Sequence, residues 1–272
     1  MTAEALLAGL PIWRGTPKLT PVEEGRTNRN FVIHDGDASY FGRIGVDLPH
    51  HGISRANERL CSELAAQAGV APEVCFASDG ILITRFIVGE TLRPATMHNP
   101  EVLRGAAQLL RRLHARPTRS SALIQRCGVA MALAYLREIP DDDLPIPRAR
   151  LVERLGVPTA RGDRLVHCDI IPENLIRSPA GLYLIDWEYG GVGIPEVDLA
   201  SVVANADLDQ AEAALFLAAY GPCDTFLVER QRVALVVREA LWCLTQMRHT
   251  GPTGDLVSYT QTCFERMTKE FS

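Results

Sequence analysis

Residues 164–186 constrain the fold more than any other stretch. Two short apolar strands, LVH and NLIR, bracket the loop HCDIIPENL (167–175), and a third, LYLI, ends at Asp186. Pro172 cannot donate a ladder hydrogen bond, so it forces the chain out of the sheet between the first two strands. The loop is thereby held at one sheet edge by buried isoleucines and presents Asp169 and Asn174 there. An aspartate, an asparagine five positions on and a second aspartate about a dozen residues later form the arrangement that phosphoryl transfer needs. One carboxylate accepts the proton of an attacking hydroxyl, and the other two groups hold Mg²⁺ against phosphate oxygens.

The rest of the chain has room to build a frame around that loop. Its 272 residues are 47% hydrophobic, enough for a sizeable core in one large domain or two lobes. A net charge of −5 with scattered arginines leaves no basic footprint for nucleic acid. A negative ligand must then be held by a few local groups or by metal. The seven cysteines are odd in number and widely spaced, with no Cys-x-x-Cys pair, so they predict neither a zinc ribbon nor a disulfide framework. The opening MTAEALLAGL lacks the basic region and long apolar run of a signal peptide. No apolar run approaches the roughly 18 residues of a membrane span. The expected setting is soluble, reducing and cytoplasmic.

The character of the chain changes near Gly89. Before it, RNFVIHDG and DASYFGRIG flank a turn at Asp35-Gly36-Asp37, and EVCFA and GILITRF are joined through Asp79-Gly80, so two hairpins are predicted. Between them Ile53, Asn57, Leu60 and Leu64 recur at helical spacing, with Gly69 as the stop. After it, Asn99-Pro100 opens a strong helix with Val102, Leu103, Ala106, Leu109, Leu110 and Leu113 on one face. A helix is predicted near 128–138, a solvated turn at Asp141-Asp142-Asp143, and helices dominate from Pro195 onward. The class is α+β in two lobes, 1–89 and 90–272.

Taken together, HCDIIPEN followed by LIDWEYGG resembles the choline kinase and aminoglycoside phosphotransferase superfamily, relatives of protein kinases. The Ile-Asp-Trp-Glu-Tyr wording is most similar to the choline/ethanolamine kinase branch. The resemblance implies a protein kinase-like fold with a small antiparallel-sheet N-lobe and a larger, mainly helical C-lobe. It implies ATP and Mg²⁺ as cofactors, Asp169 as catalytic base, and Asn174 and Asp186 as metal ligands. His167 would brace the loop, and Asp198, in GIPEVDLA, would steady it.

On the nucleotide side, EEGRTNRNF (23–31) is similar to the phosphate loop of bacterial choline kinase relatives. Gly25 permits a tight turn, and Thr27, Asn28 and Asn30 with nearby amides would meet phosphate oxygens. Arg43, in YFGRIG, stands where protein kinases carry a strand lysine, and Glu58 matches its helix partner. From the residues alone Glu58 reads equally as a solvated flank. ITRFIVGETL resembles the interlobe hinge, where backbone groups of Arg85 and Ile87 would face adenine.

On the acceptor side, a small cation calls for negative charge and aromatic faces: Glu188, Trp187, Tyr189, Tyr220 and Trp242. Trp242 points away from the apolar stripe of its own helix, so it either packs a second surface or lines a cleft. ALWCLTQ resembles a segment that supplies two tryptophans to an ammonium cage; Trp242 matches the first, and Thr245 stands in place of the second. The expected activity is transfer of a phosphoryl group from ATP to the hydroxyl of a small cationic amino alcohol, choline or ethanolamine first. The rivals are an aminoglycoside, thiamine or other small-alcohol kinase, and a non-catalytic nucleotide-binding protein of the same fold.

Overall fold

The computed structural model describes residues 2–22, 28–118, 120–158 and 161–271. Gly25 and Thr27 lie outside the described residues.

In chain order the elements are α1 (Ala3–Ala8), β1 (Lys18–Val22), β2 (Arg29–Asp35), β3 (Ala38–Ile44), α2 (Arg55–Gln67), β4 (Val74–Ser78), β5 (Ile81–Arg85), β6 (Glu90–Thr91), α3 (Pro94–Met97) and α4 (Pro100–Leu113). They continue with α5 (Gly128–Glu138), α6 (Arg148–Leu155), β7 (Arg164–Val166), β8 (Leu175–Ser178), β9 (Gly181–Leu184), β10 (Gly191–Gly193), α7 (Glu196–Asn205), α8 (Gln210–Tyr220), α9 (Thr225–Thr250) and α10 (Gly254–Lys269).

The N-terminal sheet is antiparallel, in the order β1-β2-β3-β5-β4. Its β2–β3 hairpin turns at Gly36, whose φ of 60° favours a residue without Cβ. Alternation in β2 sends Phe31 and Ile33 inward to meet Ile83 and Leu7, making a small core of its own. Cross-strand partners share a face, so the pairing of Asn30 with Arg43 puts both on the side opposite this core.

The chain enters the second lobe where β6 pairs with β8, which in turn pairs with β9. Gly89 makes the entry possible, because a Cβ there would lie 2.5 Å from the Arg177 carbonyl. Asn99 caps α4 by accepting from the Glu101 N–H, and the predicted apolar face of α4 is buried. This lobe carries two larger cores. One is built on α4, α7 and the β7–β9 strands, the other on α5, α6, α9 and α10. Asp141–Asp143 forms an exposed 3₁₀ turn, pinned by Arg148 and Arg248. The described residues contain no helix long and apolar enough to cross a membrane.

Candidate active site

The loop after β7 is shaped by buried partners. Asp198, fully buried at the start of α7, accepts from the backbone N–H of His167 (2.9 and 3.0 Å) and of Cys168 (2.8 Å), and from His114 Nε2 (3.1 Å). Such a carboxylate behaves as an internal cap for a loop that has no ladder of its own. Ser201, one turn on, accepts from Ile170 N–H. Cys168 is held at φ 65°, a sparsely populated conformation for a residue with a Cβ, and these bonds hold it there.

His167 spends both ring nitrogens inside the frame. Nδ1 accepts from Asp169 N–H, and Nε2–H donates to the Ile185 carbonyl at 2.9 Å. Burial lowers the His167 pKa, so the ring is the neutral Nε2–H tautomer. The Asn174 carbonyl accepts from Ile185 N–H, while its side-chain Nδ2 donates to the Asp169 carbonyl at 3.0 Å. Through Ile185 the loop is thus locked to the residue before Asp186. These bonds hold Asp169, Asn174 and the segment leading to Asp186 against one another, close enough that the charge of Asp169 acts on Asp186.

Asp186 leaves the strand with φ 62°. Its side chain keeps 41% of its surface open to the crevice, with protein on the other sides. Burial first, then the neighbouring Glu188, push its pKa up to about 8, against the pull of Arg43. Solvent access tempers both causes and leaves the upward direction. Oxygen donors from Asn174 and Asp186, with this excess of negative charge, suit a hard divalent cation such as Mg²⁺.

Above them runs an ion network. Arg43 on β3 pairs with Glu58 on α2 and lies 3.7 Å from Asp186. Its Nε is buried with no acceptor among the described residues, as suits a group placed for a phosphate oxygen. Arg55, which sequence reasoning passed over, bonds Glu58 (2.7 Å) and Glu188 (3.1 Å). Asn28 donates to the same Glu188 oxygen at 3.2 Å. At the hinge, Arg85 N–H is taken by the Glu73 carbonyl and its side chain lies over Tyr40. Ile87 follows it, half-buried.

The acceptor candidates are redistributed. Trp187 is 2% exposed, its indole N–H bonds the Leu184 carbonyl, and its ring packs edge-on against His167. It is a core residue and does not line the crevice. Glu188 faces the Arg55 network, on the nucleotide side. Tyr189 is buried beneath Arg238, whose guanidinium lies 5.1 Å from the ring. Tyr220 bonds His114 behind the loop, away from Asp169. The left-handed turn at Asp186 is the physical cause for residues 187–189: it ends the strand alternation by which side-chain directions are extrapolated.

Two further residues escaped sequence reasoning. Arg238, buried in α9, donates to Asp169 Oδ1 at 2.7 Å and to the Cys168 carbonyl at 3.0 Å. His51, in a 3₁₀ turn Pro49–His51 between β3 and α2, crosses to the second lobe. Its Nε2 bonds Gln246 (2.7 Å), its Nδ1 bonds the Tyr135 hydroxyl (3.0 Å), and its ring stacks on Trp242 at 5.4 Å. Burial pushes its pKa down to about 4. Trp242 is half-buried, and its indole N–H has no partner among the described residues. The spacing of Arg238, Trp242, Gln246 and His249 along one helix is the signal that could have found this wall.

Comparison with known proteins bears on family and fold. Residues 18–235 match the model of the phosphotransferase enzyme family. A LicA protein of Haemophilus influenzae is 37% identical over 71% of this chain and 76% of its own length; the chain spans 60% of another LicA protein from that species. Thiamine kinase of Salmonella newport is 27% identical over 80% of this chain and 74% of its own. Among solved structures, a choline/ethanolamine kinase family protein from Mesorhizobium loti superposes with a TM-score of 0.76 at 26% identity, covering 99% of this chain and 94% of that one. The chain therefore belongs to the phosphotransferase enzyme family, with a protein kinase-like fold and its likeness among the choline kinase-like members. It is a phosphotransferase of the small-molecule kinase type.

Proposed function

We propose that the chain transfers the γ-phosphoryl group of ATP to the hydroxyl of a small cationic amino alcohol, choline or ethanolamine first. The observation that carries this reading is the convergence of Asp169, Asn174 and Asp186 through the shared contacts of His167 and Ile185. Asp169 accepts the acceptor's hydroxyl proton, and Arg238 holds its carboxylate at a fixed angle. Asn174 and Asp186 would hold Mg²⁺, which when bound neutralises charge on the phosphates. Arg43, fixed by Glu58, meets the phosphates, and Asn28 and Asn30 line their approach. Trp242 offers an aromatic face to the acceptor's cation.

A second reading, thiamine as acceptor, is favoured by one feature. Thr245, where a second cage tryptophan is expected, is buried with its hydroxyl turned onto the Leu241 carbonyl, so the cage has a single indole wall. ADP release measured over choline, ethanolamine, thiamine and aminoglycosides tests both. Turnover of the amino alcohols is expected. Activity confined to thiamine would replace the first reading with the second, and activity confined to polycationic aminoglycosides would overturn both.

A further inference from the structure

Next to Arg238, where α9 meets α10, stand groups that phosphoryl transfer does not use. Glu239 and Cys243 stand one turn apart on α9, and Cys263 faces them from α10. Among the described residues this is the one group of three such side chains whose donor atoms all lie within 4.8 Å of one another. Both cysteines are buried free thiols. Two buried cysteines alone would be ordinary packing. Here a carboxylate stands beside them, accepting from the Tyr259 hydroxyl at 2.8 Å, and adds an oxygen donor to the two sulfurs.

We propose that Glu239, Cys243 and Cys263 bind a thiophilic divalent cation, Zn²⁺ in the first instance, between α9 and α10. Two thiolates and a carboxylate form a three-ligand set that zinc accepts, with water or the Tyr259 hydroxyl completing a tetrahedron. Tyr259 lies one turn before Cys263 and donates to Glu239 Oε1 at 2.8 Å, so it already orients the carboxylate. Donor atoms in a closed site stand roughly 3.3–3.8 Å apart, so the observed set needs a contraction of about 1 Å.

A small void lined by Asn205, Leu235, Val236, Glu239, Cys263 and Arg266 reaches two of the three donors, and the Glu239 side chain is 21% exposed, which gives a way in. Binding releases two thiol protons. The site then carries one net negative charge, beside Arg238 at 3.2 Å from Glu239 and Arg266 on the void wall. Oxygen-only ligands keep Mg²⁺ in the crevice, so the two cations do not compete.

The test titrates Co²⁺ into the reduced, chelator-treated full chain under argon. The expected result is a thiolate-to-cobalt charge-transfer band with tetrahedral d–d bands, displaced by one equivalent of Zn²⁺ and untouched by excess Mg²⁺. The pair of substitutions Cys243→Ser and Cys263→Ser should abolish the bands, and Glu239→Gln, which leaves the thiols in place, should weaken binding at least about tenfold. A Zn²⁺-dependent rise in Tm of the unmodified chain, absent in the double variant, is the companion expectation. The proposal is overturned by a silent titration of the unmodified chain, by bands that persist in the double variant, or by thiol counts showing that the two cysteines close a disulfide instead of taking cobalt.

Discussion

The two walls of the crevice are built by opposite means. The nucleotide-side wall is ionic: Arg43, Arg55, Glu58, Asp186 and Glu188 cross-link β3, α2 and the segment after β9. The acceptor-side wall is mostly neutral and aromatic, with His51, Tyr135, Trp242 and Gln246 closing a strap between the lobes. Arg238 is the one full charge that α9 turns toward Asp169. The difference teaches where each wall keeps its adaptability. A phosphate chain is the same in every reaction and can be met by fixed charges. Acceptors differ, and stacked rings with exchangeable hydrogen bonds are re-shaped by substitution more cheaply than a buried ion network, whose disruption strands a charge.

Four substitutions or conditions break or sharpen that contrast. Asp169→Ala, which strikes where the walls meet, should lower kcat by about a thousandfold or more while nucleotide affinity is kept; a variant of near-normal turnover would remove Asp169 from the role of base. Arg238→Met should reduce kcat on the order of a hundredfold with ATP affinity unaltered, and Arg238→Lys should restore part of it, since a point charge replaces a fork. An equal loss in ATP affinity would show that the walls are not separable.

The third concerns pH. The folded pKa of His51 is about 4 against an ordinary 6.5, so the unfolded chain takes up the proton first. The contribution is whole above about pH 6.5 and is lost as pH falls toward 4, on the order of 3 kcal/mol. Urea melts across that range should show the decline, and His51→Gln should flatten it; an unchanged slope would detach the strap from His51. The smallest effect is expected for Trp242→Ala, a rise in acceptor KM of about tenfold with nucleotide KM unmoved. No change in acceptor KM would make the ring packing only.

Much of the fold was legible because its signals are local. The β2–β3 hairpin, the cap at Asn99 and the spacing of Asp169, Asn174 and Asp186 are each written within a few to twenty residues. The Arg43–Glu58 pair was legible only through resemblance, since Glu58 alone looks like a solvated flank. Arg238 and His51 were missed because they find their partners across 69 to 195 positions, and the bond of Arg55 to Glu188 spans 133, although its bond to Glu58 is local. Trp187 and Tyr220 were misjudged for a related cause. An aromatic side chain suits a cation cage or a core equally, and only its neighbours decide.

Asp198 has a consequence for how the molecule is made. The loop that carries Asp169 takes its shape from residues 185, 198, 201 and 238, all later in the chain. The first sheet can close on contacts within its own eighty-odd residues as it leaves the ribosome, but the reactive loop stays unformed until α7 and most of α9 have been synthesised. Until residue 238 has been made, the Asp169 carboxylate is without the guanidinium that holds it.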